Sequence, residues 1–124
     1  TCTFCTEGQE YWLKVRAKDR EVVEGEVSYI SNKMNNLESS KKRSDLYIAD
    51  SNFGMYKEDL DTCKVLAKEQ KKTGYPKYIN LSTGKNKQDR VLEAAKIVNG
   101  AIRINASVQS MDPEVQENIK RKTK

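Results

Sequence analysis

Apolar residues in this chain alternate between two spacings. Short apolar runs occur at Leu46-Tyr47-Ile48-Ala49, at Tyr78-Ile79-Asn80-Leu81 and over residues 101–108, and in the stretches around them apolar residues recur at steps of three and four. Steps of three and four return to one face of a helix, whereas four to eight apolar residues bounded by turn signals form a strand. Val23, Val27, Ile30, Met34 and Leu37 define a first helix over residues 19–37. Leu60, Cys63, Leu66, Ala67 and Gln70 define a second over 57–72, and Val91, Leu92, Ala95 and Val98 mark the buried side of a third. Gly74-Tyr75-Pro76 stops the second helix, because glycine accepts a left-handed cap and proline cannot continue the ladder; Asn99-Gly100 stops the third. In Asp112-Pro113-Glu114 the aspartate caps and the proline opens a last helix carrying Val115 and Ile119.

Strands and helices in this order predict an α/β fold, a parallel sheet of repeated βα units. The chain has 124 residues, about half of the ~250 typical of a complete eight-fold βα barrel, so the expectation is a partial, half TIM-type barrel occupying residues 1–124 as one domain. Hydrophobic residues are 36% and charged residues 33%, a polar balance that still supports one core because the apolar residues are grouped. The net charge is +5, but lysines alternate with glutamates along the helices as on solvated faces, so nucleic acid is not an expected partner. No apolar run approaches the ~18 residues of a membrane span. With three cysteines and no secretory apolar segment, the expected location is the cytoplasm. The sequence has no histidine, which excludes Ser-His and Cys-His hydrolase arrangements and mixed Cys-His zinc sites within the chain.

Ligands of parallel α/β folds bind where strands end, at their carboxyl edge. The loops expected there are Asp50-Ser51-Asn52-Phe53-Gly54, Ser82-Thr83-Gly84-Lys85-Asn86 and Ser107-Val108-Gln109-Ser110. The second offers an anion-binding turn at a helix start but lacks the full phosphate-loop pattern, and a solvated turn is the simpler reading. Asp50 either caps or orients a ligand, and Gly54 is either an ordinary loop glycine or a point of close backbone approach. The sharpest chemistry lies in Cys2-Thr3-Phe4-Cys5. Two thiols spaced by two residues can be iron-sulfur ligands, a surface pair, a thioredoxin-like redox pair, or half of a zinc site shared between chains. Cys63, on an apolar helix face, reads as packing.

Cys2-Thr3-Phe4-Cys5 followed by Thr6-Glu7-Gly8 and then by βα units resembles the radical S-adenosylmethionine (SAM) superfamily, whose motif is Cys-x-x-x-Cys-x-aromatic-Cys. Residues 46–55, Gly84-Lys85-Asn86 and Ser107-Val108-Gln109-Ser110-Met111-Asp112-Pro113 look like blocks of the branch often fused to cobalamin-binding domains. The resemblance implies that Cys2 and Cys5 ligate a [4Fe-4S] cluster and that a further cysteine stands four residues before Cys2, outside this chain. It implies that Phe4 shields the cluster near adenine. It also implies that the exposed backbone of Ser51, Asn52, Phe53 and Gly54 receives the SAM amino group, although the family's Gly-Gly-Glu pattern is absent there. Asn105, Ser107 and Gln109 would contact the SAM ribose or carboxylate. The implied activity is reductive cleavage of SAM to a 5′-deoxyadenosyl radical acting on an unknown, small-molecule substrate, with cobalamin in a separate domain. The chain would be an amino-terminal fragment lacking the other barrel half, and inactive alone. The rival reading is a non-catalytic α/β module with a CxxC thiol pair that forms homo-oligomers through an exposed sheet edge.

Overall fold

In the computed structural model, the structure describes Cys5 and residues 15–84, 87–105 and 109–120. Two compact units are present: a larger one, Asp19–Ala106, and a smaller one made of Thr1–Lys18 and Ser107–Lys124. The larger unit runs α1 (Arg20–Asn36), a short 3-10 turn (Ser39–Lys41), β1 (Asp45–Tyr47), α2 (Glu58–Thr73), β2 (Tyr78–Ser82), α3 (Gln88–Ile97) and β3 (Ile102–Asn105). The smaller unit contributes α4 (Pro113–Asn118). The three strands form one sheet in the order β1-β2-β3, both pairings parallel. The βα-repeat fold expected from the alternation of spacings is therefore the fold observed.

Helix ends follow the local chemistry. Gly74 caps α2 at φ 77°, and its amide donates to the Gln70 carbonyl over 2.8 Å. Asp112 Oδ1 accepts from the amides of Glu114 and Val115, with Pro113 in the first turn. The core gathers Val27, Phe53, Cys63, Val65, Leu66, Ile79, Leu81, Ala94, Val98 and Ile102. Ile79 and Leu81 alternate with Tyr78, Asn80 and Ser82 along β2, so one face of the sheet is buried and the other is open.

Two local expectations are corrected. The run from Leu46 is expected as a buried strand, but β1 begins at Asp45, ends at Tyr47 and leaves Tyr47 74% exposed. Among the described residues β1 pairs only with β2, and alternate side chains of a strand point away from the covering helices. Leu92 is expected on the buried side of α3 but is exposed. Val91, Ala94 and Val98 occupy the buried stripe, and the next residue along a helix is turned by about 100° from it. Of the strand expected over residues 101–108, Ile102–Asn105 is observed, and residues 106–108 lie outside the described residues.

The contact between α1 and α2 is also more polar than the apolar stripe implies. Ser28 Oγ donates to Glu69 Oε2 over 3.3 Å, and the Ser31 and Thr73 hydroxyls lie 2.8 Å apart. Ser31 and Glu69 are both buried, so small hydroxyl residues allow these helices to approach while giving the Glu69 carboxylate a donor.

Candidate functional site

The carboxyl edge of the larger unit is held together by Thr83. Its residue pairs with Phe53 in a parallel bridge, its amide donates to the Asn105 carbonyl over 3.2 Å, and its hydroxyl reaches the same oxygen at 3.4 Å. The ends of β1, β2 and β3 therefore meet at one edge. This brings Ser51, Asn52, Phe53, Gly54 and Asn105 into one neighbourhood, as the βα order requires.

Within that neighbourhood, the backbone of the loop after β1 is engaged by the protein itself. The Asn52 amide donates to Asp50 Oδ1 over 2.7 Å, the Phe53 amide to the Ser82 carbonyl over 3.1 Å, and the Gly54 amide to Asp59 Oδ2 over 2.8 Å. The carbonyls are engaged as well. Asn52 accepts from the Met55 amide, Phe53 from the Gly84 amide, and Gly54 and Met55 from the Arg90 guanidinium. The expectation of an exposed loop backbone ready to receive an amino group is therefore not met at Phe53 and Gly54, both of which are buried. The Phe53 side chain is 3% exposed and belongs to the core. Gly54 has φ 89°, and a Cβ there would stand 2.5 Å from Val91 Cγ2, so glycine serves close packing of loop against helix. Ser51, Asn52 and Asn105 remain at the surface of this edge.

Asp59 and Arg90 are the residues that sequence reasoning passes over. Asp59 stands in the first turn of α2, where an acidic residue reads as a partner of the helix dipole. Its Oδ2 in fact reaches back to the amides of Gly54 and Tyr56, the latter over 3.0 Å. Burial raises the Asp59 carboxyl above its ordinary value of 3.8; the two amide donors and Arg90 oppose the rise, and the Asp50 carboxylate adds to it. Asp50 Oδ1 closes a turn with its own loop by accepting from the Asn52 amide.

Cys5 is exposed, with a free thiol, and belongs to the smaller unit together with Gln109, which is exposed at φ 56°. Cys2, Phe4 and Ser107 lie outside the described residues. Cys63 is fully buried, and burial, with the Asp59 carboxylate as a lesser cause, pushes its thiol up to about 12. Cys63 packs within the core, as its helical position predicts. Among the described residues no three Cys, Asp or Glu side chains converge as a metal site. Also among them, no helix is long and apolar enough to cross a membrane.

The open face of the sheet carries a second group of polar residues. Registers Asp45 to Tyr78, Tyr47 to Asn80, Asn80 to Arg103 and Ser82 to Asn105 place these side chains on the face away from the buried Ile79 and Leu81. Asn80 Nδ2 donates to Asp45 Oδ2 over 3.4 Å, and the Arg103 guanidinium lies 4.0 Å from the centre of the Tyr78 ring. The alternation Ile102-Arg103-Ile104-Asn105 is the sequence signal for this face.

No family model matches the chain. Over 98% of its length the chain is 33% identical to 2-(S-pantetheinyl)-carbapenam-3-carboxylate methyltransferase of Streptantibioticus cattleyicolor. Over the same share it is 30% identical to the cobalamin-dependent radical SAM methyltransferase TokK of Streptomyces tokunonensis. The chain spans 17% of the length of each of these relatives. Its similarity is thus to one stretch of two methyltransferases, one of which is named as cobalamin-dependent and radical SAM.

Proposed function

We propose that the chain is part of the core of a cobalamin-linked radical SAM enzyme, that Cys2 and Cys5 are two of the three cysteine ligands of a [4Fe-4S] cluster, and that the intact protein transfers a methyl group to a small carboxylate-bearing molecule. The observation that carries this reading is the similarity to two methyltransferases over 98% of the chain, a span that takes in the βα units and their edge loops. The name of the first relative supplies the carboxylate substrate class and the methyl transfer; that of TokK supplies SAM and cobalamin. Cobalamin would occupy a separate domain.

The donor chemistry agrees with a cluster in kind. Thiolates are the ligands that iron-sulfur clusters require, and the Cys5 thiol is free and exposed. With Cys63 sequestered, the reading needs a third cysteine, four residues before Cys2 in the full-length protein. For SAM, the exposed Asn52 and Asn105 are the amide-bearing side chains best situated at the carboxyl edge. Phe53 and Gly54 act one step removed, holding that edge in shape through the core and through Asp59. When bound, the cluster and SAM together would supply one-electron cleavage of a carbon–sulfur bond. Free thiols and a reducible cluster suit the cytoplasm. The outer edges of β1 and β3 would pair with the remaining barrel strands.

Anaerobic reconstitution with iron and sulfide tests the proposal. The 124-residue chain is expected to hold no stoichiometric [4Fe-4S] cluster, whereas the full-length protein is expected to hold one and to release methionine from SAM on reduction. Full-length protein that takes up no cluster, or whose cluster survives Cys5→Ala and Cys2→Ala together, would overturn it.

A further inference from the structure

The open face of the sheet is unlike the inside of a packed βα barrel. Such interiors are filled mostly by bulky branched side chains, whereas here β2 and β3 present Tyr78, Asn80, Arg103 and Asn105. No aliphatic side chain stands among these four, so the face is suited to a polar occupant rather than to dry packing. Arg103 is held there by its stack on Tyr78, with Lys77 Nζ 5.5 Å from the same ring centre. Two cations are thereby gathered at one aromatic ring. Among the described residues Arg103 has no ion-pair partner, and the Asp45 carboxylate, the acid on this face, accepts from Asn80. Stacking engages the flat side of a guanidinium and leaves the N–H groups at its rim able to donate in pairs to a carboxylate.

We propose that Arg103, stacked on Tyr78 and supported by Lys77, forms a subsite for the carboxylate of a small organic anion. This inference rests on the functional reading above for the identity of that anion as the substrate, but the charge and geometry of the subsite stand apart from it. Arg103 precedes Asn105 by two residues on one face of β3, about 6–7 Å along the strand. A small molecule lying on the open face, with its reacting end at the carboxyl edge, would span that distance to Arg103. Arg103 is a specificity-determining residue in this arrangement, placed below the edge and not among the reacting groups.

The test uses the whole 124-residue chain and needs neither cluster nor SAM. The probe is N-acetylproline, a ring carboxylate, with its uncharged methyl ester as control, titrated while the Arg103 Nε–H and Tyr78 ring resonances are followed by NMR. Saturable shifts of both residues are expected with the acid, with the ester at least tenfold weaker. Arg103→Gln should weaken the acid at least tenfold. Arg103→Lys, which keeps the charge but loses the planar fork, should weaken it severalfold, and Asp45→Asn, which removes the nearby acid, should tighten it. If Arg103→Gln fails to fold, the Lys and Asn variants still decide the question. Equal response to acid and ester, indifference to all three substitutions, or inorganic phosphate saturating the same resonances at lower concentration than the carboxylate would overturn the assignment. Removing the thiols with Cys2→Ala and Cys5→Ala should leave the titration unchanged, so failure of the cluster reading and failure of the subsite are separate results.

Discussion

The two faces of one small sheet show how differently neighbouring residues of a strand are constrained. On the covered face, Ile79 is fully buried, Leu81 is 6% exposed, and both pack with Leu66, Val98 and Phe53. Each such side chain contributes about 1.5–3 kcal/mol by leaving water, and its shape is fixed by neighbours on three elements. On the open face, Arg103 stacks on Tyr78 and Asn80 donates to Asp45, two separate pairs that leave donors and acceptors turned to solvent. The covered face determines that there is a sheet. The open face can vary in chemistry without disturbing the fold, and it is there and at the carboxyl edge that recognition can be placed.

The largest break in this contrast is Ile79→Ala. It removes a fully buried side chain from the centre of the core, and the expected cost is about 2–5 kcal/mol, set by how far Leu66 and Val98 can close the cavity. Urea unfolding followed by circular dichroism measures it as a fall in midpoint at unchanged slope. A cost below about 1 kcal/mol would mean that the covered face is not the packed core described here.

Much of the covered face is legible in the sequence because its signals are local. Periods of three and four, the Gly74 cap and the placement of Cys63 on an apolar stripe all follow from residues within one or two turns of each other. The edge loop is not legible in the same way. Ser51-Asn52-Phe53-Gly54 looks like an exposed loop, yet Phe53 is drawn into the core and its neighbours are held by Asp59 and by Arg90, the latter 36 positions from Gly54. The open face lies between these cases. Alternation in Ile102-Arg103-Ile104-Asn105 announces a two-sided strand, but the meeting of Arg103 with Tyr78 depends on the register between β2 and β3. The polar α1–α2 contact through Ser28 and Glu69 spans 41 positions and has no local signature either.

A smaller effect sharpens the comparison at the edge that joins the two faces. Asp59→Ala removes the acceptor for the Gly54 and Tyr56 amides and should cost about 1–3 kcal/mol, whereas Asp59→Asn, which keeps an acceptor oxygen, should retain most of the stability. The two carboxamide and carboxylate forms differ in their response to pH. Burial raises the folded-state pKa of Asp59 above 3.8, so the folded chain holds this proton more tightly than the unfolded one does. The stability tied to it is present in full below 3.8 and is lost as pH rises through the folded pKa. Urea titrations of wild type and Asp59→Asn across that window should show the wild-type advantage shrinking with rising pH and then levelling. An advantage that grows with pH would mean that the amide donors outweigh desolvation.

The smallest expected effect belongs to Tyr47, and its smallness is the point. Tyr47 lies in β1, one residue from Leu46, which packs against the core, but its own side chain is 74% exposed on the open face. Tyr47→Ser should therefore change stability by no more than about 0.5 kcal/mol, even though it lowers strand propensity, because little surface leaves or re-enters water. The same denaturation experiment reads it directly against Ile79→Ala. A cost of 2 kcal/mol or more would show that something covers this side chain and that the face is closed in solution. That result would also count against a ligand reaching Arg103 across it, since Tyr47 pairs in register with Asn80, and Asn80 with Arg103. A near-neutral Tyr47→Ser beside a costly Ile79→Ala would place the boundary between fold and recognition within single strands, at alternate residues.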